Sequence, residues 1–450
     1  MAASARERAL KELTGKIEAE YRKRTPRSEA VSMKAREYLP GGDTRRSIFF
    51  FPYPIWLQRG DGCHVYDEDG HEYLDFHNCY TTMILGHGNA MVSAAVKEQL
   101  DQGTMALGAF KQNVVEWAGI LCDRIASLEQ VRFTCTGSEA VMMAIRAARA
   151  WTGRDKIVVE YGGYHGSYDA VVFPPDSAGL PQSLMVDTIV IPFNDKAVLE
   201  RTLEEHKGQI AALVLEGLMG SAGMVPPRDG FLQAARKASS AHDIVFILDE
   251  IISFRLGHGG LQGIEGIKPD LTTLGKTIAG GTAMAAFGGR RELMEQYSPL
   301  KQVLHHAGTL NANPLSAAAG VAMLKQMTPE LIARINTLGD SLRLGLQQAF
   351  RDAGIKGQVT GMGSLCNVHF GTVPVVDGYT ARETTNKEAL HLFHLSLINR
   401  GILTPERAMF CVSAPMNERD ITTAIDAVAD AARELKPYIG DIWPELLGTV

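Results

Sequence analysis

The sequence lacks the features that mark several large classes of protein. It has six cysteines among 450 residues and none of them forms a C-x-x-C pair, so we expect free thiols, no disulfide framework and no metal site. No apolar run approaches the roughly 18 residues that span a bilayer, and the charged, amphipathic start of the chain does not resemble a signal peptide. The net charge of −6 argues against nucleic acid or an anionic membrane as a partner. We therefore expect a soluble, cytoplasmic protein.

What the sequence does contain is a long alternation of strand and helix patterns. Its length is too great for one ordinary core, and the hydrophobic content of 45% is typical of a globular protein. Helical patterns such as Glu139–Trp151 and Gly230–Ser240 separate a series of apolar segments. The predicted strands are Val131–Cys135, Lys156–Glu160, Thr188–Ile191, Ala211–Leu215, Ile244–Leu248 and Ala283–Phe287. This order predicts an α/β fold with a large, doubly wound, mostly parallel sheet domain over residues 81–325.

Residues 1–80 form an N-terminal segment with two patterns of its own. Residues 5–38 have a helical pattern that stops at Pro40-Gly41-Gly42. Residues 62–76 alternate apolar and polar side chains around Asp69-Gly70, which predicts a hairpin with a tight turn. We expect this segment to join the smaller domain.

Residues 326–450 predict that smaller α+β domain. A long helix starts near Leu315 and begins again at Thr328-Pro329. Strand patterns near Ser364–Phe370 and Met409–Val412 are followed by a helical pattern over Asn417–Leu435.

Polar residues stand where predicted strands end, which is where open parallel sheets bind ligands. They are the triplet Thr136-Gly137-Ser138, Glu216 and Asp249. Gly137 permits close approach of a ligand, and Ser138 opens a helix whose N–H groups and dipole favour an anion such as phosphate. The triplet is also an ordinary helix cap. A NAD-type G-x-G-x-x-G is missing at this position, which counts against a dinucleotide.

Lys276 follows an apolar, strand-like segment and precedes small residues, so packing does not explain it. A lone lysine there is often solvated, and Asp249 could be a salt-bridged or solvent-facing acid. Together with the phosphate-type turn, however, the two suggest a Schiff-base lysine for pyridoxal phosphate. Asp249 would keep the ring nitrogen protonated, and Glu216 could support Asp249 or the ring hydroxyl. Lys276 would also be the general base, with a pKa lowered by burial and a nearby cation.

Tyr164 lies between glycines in the run Gly162-Gly163-Tyr164-His165-Gly166, after a predicted strand. An aromatic ring held there can lie flat on a planar cofactor. The alternative is a turn that carries a packed tyrosine. His165 is interpreted as a hydrogen-bonding neighbour and not as a base.

These motifs resemble those of class III, fold-type I pyridoxal phosphate aminotransferases, in the same order along residues 36–435. The matching segments are Thr136-Gly-Ser-Glu-Ala140, Gly163-Tyr-His-Gly166, Asp249-Glu-Ile251, Gly275-Lys276 and His306-Ala-Gly-Thr-Leu-Asn-Ala-Asn-Pro314. The resemblance implies a homodimer with active sites at the interface. It also implies that Thr309 reaches the cofactor phosphate of the other subunit, and that Ile251 packs on the ring face opposite Tyr164.

Two branches of that family fit the sequence. Pro40-Gly-Gly-Asp-Thr-Arg45, followed by the aromatic run 49–56, resembles aminotransferases of β-phenylalanine-like amino acids, and so does Leu403-Thr-Pro-Glu-Arg407. Glutamate-1-semialdehyde aminomutases continue differently after Pro-Gly-Gly and have one more residue before the arginine that matches Arg255. Two departures from the family pattern touch the predicted site. They are Glu216-Gly-Leu-Met-Gly220 in place of Glu-Pro-Met-Gln-Gly, and Arg46 in place of a small residue.

Arg45 and Arg407 are the candidates for binding a substrate carboxylate, because the guanidinium fork matches its geometry and is permanently charged. Solvated surface charge is the alternative for both. The aromatic run 49–56 could wall a pocket for an aryl group or pack at a dimer interface.

The resemblance implies a ping-pong transaminase that moves an amino group from a β-amino acid, such as an aromatic one, or from a related amine to a keto acid such as 2-oxoglutarate or pyruvate. The nearest alternative is a glutamate-1-semialdehyde 2,1-aminomutase with the same cofactor. A nucleotide-dependent oxidoreductase would also use a doubly wound sheet, and a silent binding protein could keep the fold, although the Lys276 and Asp249 pair argues against the latter.

Overall fold

The computed structural model describes residues 4–103, 106–172, 178–181, 183 and 186–448. Within them the strands are β1 (Leu57–Asp61), β2 (His64–Asp67), β3 (Glu72–Asp75), β4 (Gln130–Thr134), β5 (Lys156–Glu160), β6 (Thr188–Ile191), β7 (Ile210–Glu216), β8 (Val245–Asp249), β9 (Leu271–Leu274), β10 (Ala285–Gly289), β11 (Gly357–Met362), β12 (Leu365–Phe370), β13 (Ile402–Leu403) and β14 (Met409–Cys411).

The helices longer than one turn alternate with these strands. They are α1 (Ala5–Arg24), α2 (Pro26–Ala35), α3 (Ala90–Asp101), α4 (Gln112–Arg124), α5 (Gly137–Thr152), α6 (Lys196–Glu205), α7 (Phe231–Ala241), α8 (Gly260–Glu265), α9 (Pro314–Gln326), α10 (Pro329–Ala353), α11 (Gly378–Glu383), α12 (Lys387–Asn399) and α13 (Glu418–Ile442). Single turns at Gly220–Gly223, Arg291–Met294 and Lys276–Ala279 connect some of them.

The large sheet has the strand order β4-β10-β9-β8-β7-β5-β6. Neighbouring strands from β9 to β6 are parallel, whereas β10 is antiparallel to both of its neighbours, β4 and β9. The predicted doubly wound, mostly parallel sheet is therefore confirmed. The parallel strands place their carboxyl ends along one edge of the sheet.

Both faces of this sheet are covered, as its central strand β7 shows, which is apolar at every position before Glu216. Successive residues of β7 face opposite sides: Ala212 and Val214 pack with the buried face of α5, whereas Leu213 and Leu215 pack with α6 and α7. All seven residues of β7 are buried. This packing explains why the central strands read as continuous apolar runs instead of alternating ones.

The two ends of the chain build one neighbouring layer. Strands β1, β2 and β3 form an antiparallel meander, and β13 joins it in parallel with Ile402 opposite Leu74. Strands β11, β12 and β14 form a separate antiparallel sheet, while α1 packs against α12 and α13. The domain limits at residues 80 and 325 stay predictions.

The helix and strand patterns predicted before and after the large sheet are found in the structure, with two differences. The helical pattern over 5–38 forms two helices that end at Ala35, because the helix is interrupted at Thr25 and starts again at Pro26, whose ring nitrogen has no hydrogen to donate. Strand β1 pairs with the predicted hairpin but has too little apolar alternation to be seen in the sequence. The restart of the long helix is confirmed, since the Thr328 side chain accepts a hydrogen bond from the Leu331 N–H.

All six cysteines have free thiols. In the part of the chain that is described, none of the helices is both long and apolar enough to cross a lipid bilayer.

Candidate active site

Three acids end adjacent parallel strands and meet at one edge of the large sheet. Glu160 ends β5, Glu216 ends β7 and Asp249 ends β8, and the register places Glu216 directly opposite Asp249. Lys276 follows β9, the next strand along. Because strands of this kind end together, residues more than a hundred positions apart form one cluster.

A buried imidazole holds two of these acids together. The His165 Nδ1 lies 2.9 Å from Asp249 Oδ2, and its Nε2 lies 3.2 Å from Glu160 Oε2. Burial alone would lower the pKa of His165, but the two carboxylates outweigh it and raise the pKa well above its ordinary value. The raised pKa favours the imidazolium form of His165, which gives the buried carboxyl groups of Asp249 and Glu160 a positive partner in a site where an unpaired charge would be costly.

Glu216 is the third buried acid, and backbone groups hold it in place. Its Oε1 accepts the Tyr164 N–H at 2.9 Å and its Oε2 accepts the Gly220 N–H at 2.7 Å, while its own N–H donates to Glu160. Burial, followed by the charge of Glu160, raises the pKa of Glu216 to about 7. Its protonation therefore changes near neutral pH.

This raised pKa predicts a pH-dependent stability. The folded protein holds the Glu216 proton more tightly than the unfolded chain, so the stabilisation is complete below pH 4.5 and is lost as the pH rises to about 7. In cofactor-free protein, we expect Glu216→Gln to flatten this fall in unfolding free energy by on the order of 3 kcal/mol. Denaturant titrations between pH 4.5 and 7.5 measure the slope, and the exposed Glu205→Gln is the control. An unchanged slope in Glu216→Gln would contradict the assignment.

Lys276 is held in an unusual backbone conformation. Its φ of 47° is in the left-handed region, which is strained for a long side chain and is often found at functional sites. Burial lowers the pKa of its amine, Asp249 and Glu216 act in the opposite direction, and Arg407 lowers it further. The amine is therefore more easily deprotonated than an exposed lysine.

The start of α5 has the features of an anion site. The side chain of Thr136 accepts the Glu139 N–H, and the Glu139 carboxylate accepts the N–H groups of Cys135 and Thr136. The N–H groups of Gly137 and Ser138 have no acceptor among the described residues. Two free N–H groups at a helix start fit a phosphate.

Ile251 lies beside this helix start. A Cβ on Gly137 would lie 2.6 Å from Ile251 Cδ1, so only glycine allows the approach. A Cβ on Gly275, the residue before the lysine, would lie 3.4 Å from Ile251 Cγ2, so Ile251 also lies near the lysine turn. The side chain of Tyr164 is 55% exposed, while its backbone is fixed by Glu216. A buried amine, an acid held by a histidine, a helix start with free N–H groups and an apolar side chain together fit pyridoxal phosphate.

Arg45 and Arg407 meet at a turn that sequence analysis did not identify. Residues 78–81 have four successive φ values between 46° and 73°. Arg45 Nη1 donates to Cys79 Sγ at 3.7 Å, and the Arg407 guanidinium carbon lies 4.8 Å from the centre of the Tyr80 ring. Four residues in a left-handed conformation are strained, which is common beside functional sites.

Besides burial, the charges of Arg45 and Arg407 both lower the pKa of His77, so both guanidinium groups lie near this turn. Burial lowers the pKa of His77 to about 4, Asp75 opposes the effect, and Arg45 and Arg407 reinforce it. Within the described part of the chain, neither arginine forms an ion pair with a carboxylate, and the buried Nε of Arg407 lacks a partner. The positive charge at this turn is therefore not neutralised by a carboxylate of the described residues.

Thr309 is not brought next to Lys276. It is exposed and lines a separate surface cavity of about 1060 Å³. Its loop touches the turn before α5 through Asn311, whose Oδ1 lies 3.3 Å from Cys135 Sγ. A role for Thr309 toward a second subunit stays a prediction.

Two parts of the site were not predicted from the sequence. They are Glu160 and the segment made of His77 and the left-handed turn 78–81, here called the 77–81 turn. Glu160 is the last residue of a predicted strand and precedes Tyr161. Its position at a strand end is the sequence feature that could have identified it as a site residue. No sequence pattern marks a left-handed turn built without glycine, since Asn78 is the only residue in it that favours this conformation.

Comparison with known proteins agrees with this geometry. Residues 51–387 match the family model described as aminotransferase class-III. A curated relative, the glutamate-1-semialdehyde 2,1-aminomutase of Archaeoglobus fulgidus, is 36% identical over 419 residues, which are 90% of this chain and 99% of that protein.

Solved structures extend the similarity. An omega-transaminase from Sphaerobacter thermophilus is 38% identical, with a TM-score of 0.86 over 90% of this chain and 97% of its own. A β-phenylalanine aminotransferase from Variovorax paradoxus is 32% identical, with a TM-score of 0.89 over 99% and 100%. A transaminase with pyridoxal phosphate bound is 34% identical, with a TM-score of 0.86 over 92% and 98%.

These matches argue against the alternative of a nucleotide-dependent oxidoreductase. Such an enzyme would share only the doubly wound sheet with this chain. The family model covers most of the chain, and the similar structures span it almost entirely. The chain therefore belongs to the class-III aminotransferase family, has the fold-type I architecture, and is an enzyme that depends on pyridoxal 5′-phosphate.

Proposed function

We propose that this enzyme is a transaminase that moves the amino group of an aromatic β-amino acid to 2-oxoglutarate or pyruvate. The observation that carries the proposal is the convergence of Arg45 and Arg407 on the 77–81 turn, beside Lys276. Two guanidinium groups without carboxylate partners among the described residues suit a substrate whose carboxylate lies away from the reacting carbon. The β-phenylalanine aminotransferase that aligns along the whole chain supports it.

The residues of the site would divide the chemistry between them. Pyridoxal phosphate, when bound, supplies an aldehyde that condenses with amines and a ring that draws electrons from the adjoining carbon. Lys276, with its lowered pKa, would take the proton from the carbon that carries the donor's amino group. Asp249, fixed by His165, would hold a proton on the ring nitrogen. Glu216 would support Asp249 or the ring hydroxyl.

The remaining residues would position the cofactor. The N–H groups at Thr136-Gly137-Ser138 would bind its phosphate, while Tyr164 and Ile251 would lie against opposite faces of its ring. The exposure of Tyr164 and the position of Ile251 beside Gly137 support this assignment.

The aromatic run 49–56 divides into two parts. Phe50 and Tyr53 are buried and pack against Tyr21, so they belong to the core. Phe49 and Phe51 stand outside it in an edge-to-face pair, with ring centres 5.5 Å apart. We propose that this outer pair contacts the aryl group of the donor.

Glutamate-1-semialdehyde aminomutase activity is the second candidate, because curated relatives at 34–37% identity carry that name. Purified enzyme with β-phenylalanine and 2-oxoglutarate should form glutamate if the first proposal is correct. Conversion of glutamate semialdehyde without a second substrate would favour the aminomutase. A panel of amine donors, assayed against pyruvate and 2-oxoglutarate, completes the test.

Removing Arg407 tests the carboxylate site. We expect Arg407→Ala to raise the KM for a β-amino acid by roughly 10- to 100-fold, since a charged hydrogen bond contributes about 1.5–3 kcal/mol. A donor without a carboxylate, such as benzylamine or phenylethylamine, should show little change in KM. Arg407→Lys should restore only part of the loss.

The exposed Arg433→Ala, on α13 beside Asp430, is the matched control for Arg407. Equal losses for both kinds of donor would reject the assigned role.

We also propose a cytoplasmic homodimer with shared sites. Several large apolar side chains are exposed on or near the cavity that holds Thr309, and such a patch is typical of an interface. They are Leu107, Phe110, Leu300, Val303 and Leu310. A dimer that covered them would place Thr309 at the phosphate of the partner subunit. Light scattering of purified protein tests the assembly.

A further inference from the structure

Three side chains with metal-binding atoms converge outside the cofactor site. One ligand atom from each of Cys63, His64 and Asp420 lies within 4.8 Å of the others. The Cys63 Sγ is 3.7 Å from His64 Nδ1 and 4.0 Å from Asp420 Oδ2. Tetrahedral zinc holds neighbouring ligand atoms roughly 3.3–3.6 Å apart, so the two distances from Cys63 Sγ need a contraction of at most about half an ångström. The ligand atoms of His64 and Asp420 lie at most 4.8 Å apart.

Hydrogen-bonded backbone holds each of these residues, with Cys63 in the turn between β1 and β2, His64 at the start of β2 and Asp420 at the start of α13. His64 lies in the middle strand β2, opposite Asp61 on one side and Leu74 on the other. The Cys63 carbonyl accepts the Asp75 N–H at 2.8 Å. Asp420 lies in the first turn of α13, where its Oδ2 also accepts the Asn417 N–H at 2.9 Å. Ligands on rigid elements lose little freedom when they bind a metal.

A second acid orients the histidine. Glu72, on β3, places its Oε1 3.4 Å from His64 Nε2. A proton on Nε2 that points to this carboxylate leaves the lone pair of Nδ1 directed at Cys63. Metal-binding histidines commonly have such a carboxylate on the other nitrogen, which fixes the tautomer and strengthens the ligand.

We propose that Cys63, His64 and Asp420 bind one zinc ion, with Glu72 as the acid that positions His64. One thiolate, one imidazole and one carboxylate suit a borderline-soft divalent ion better than Mg²⁺ or Ca²⁺. Three protein ligands leave a fourth position for water. The Cys63 side chain is buried, whereas the His64 side chain is 34% exposed, so the ion has a path from solvent. Binding releases the thiol proton.

The ion would join Cys63 and His64, at the turn that leads into β2, to Asp420 at the start of α13. Cys63 and Asp420 are 357 positions apart in the chain. That separation also explains why cysteine spacing predicted no metal site. Because the folded protein alone assembles the three ligands, bound zinc should raise the unfolding temperature.

Zinc titration of the cofactor-loaded protein, after removal of metal by a chelator, tests the proposal. We expect one tight equivalent per chain in competition with a coloured chelator, and an X-ray absorption spectrum with one sulfur at about 2.3 Å from zinc. Cys63→Ala should abolish this equivalent, and Asp420→Asn should weaken it at least about 100-fold. Glu72→Ala should weaken it roughly 10- to 100-fold.

The partly buried Cys122→Ala is the matched control and should bind zinc like the parent protein. Two results would overturn the proposal. One is a parent protein that binds no zinc at micromolar free metal, and the other is unchanged affinity in either Cys63→Ala or Asp420→Asn.

Discussion

Lys276→Ala should lose amino transfer almost completely, with kcat reduced by at least about 10³-fold. The variant lacks both the amine that links to the cofactor aldehyde and the base that moves the substrate proton, and each role alone contributes a large factor. The Asp249 and Glu216 carboxylates remain, so the site keeps its charge pattern. Steady-state assays with the preferred donor and 2-oxoglutarate measure the loss.

The control is Lys268→Ala, which should stay fully active. Lys268 is exposed and precedes β9, the strand that Lys276 follows. Borohydride reduction of the native enzyme, followed by peptide mapping, provides an independent readout and should place the cofactor on Lys276. Near-normal turnover of Lys276→Ala, or a reduced cofactor adduct on another side chain, would contradict the proposed role of Lys276.

Asp249→Asn should retain bound cofactor but reduce kcat by on the order of 10²–10³-fold, the size of effect expected when a fixed charge at the reacting group is lost. Asparagine can still accept from His165 but cannot keep a proton on the ring nitrogen. The pKa of His165 should also fall, because one of its two carboxylate neighbours becomes neutral. NMR titration of His165 reports this change separately from turnover.

Asp243→Asn is the matched control, since this exposed residue precedes β8 and has a φ of 54°, which asparagine tolerates. If Asp249→Asn kept full activity while the His165 pKa fell, Asp249 would be a structural partner of the histidine and nothing more.

Much of the fold could be predicted because strand and helix patterns are local. Continuous apolar runs such as β7 identified a sheet covered on both faces, and polar residues at strand ends identified one edge of it. Glu216 and Asp249 do lie opposite each other there, as parallel register requires. Proximity of this kind follows from topology alone.

Other parts depend on contacts that local patterns do not encode. The Glu160, His165 and Asp249 network forms only when loop 161–166 folds back over the sheet edge. The 77–81 turn is stabilised from outside, since the buried Arg255 donates to the Thr81 carbonyl at 3.2 Å. The antiparallel β10 was read correctly as a strand, but its direction depends on the chain after Lys276 turning back beside β9.

The pairing of β3 with β13 also constrains when this enzyme can mature on the ribosome. Leu74 emerges early, yet its parallel neighbour Ile402 is translated about 330 residues later, and contacts of such long range form slowly. Until then β3 has an open hydrogen-bonding edge that could pair with another nascent chain. At about 5–20 residues per second this exposure lasts on the order of a minute or less, which makes the amino-terminal meander the expected client of a chaperone during synthesis.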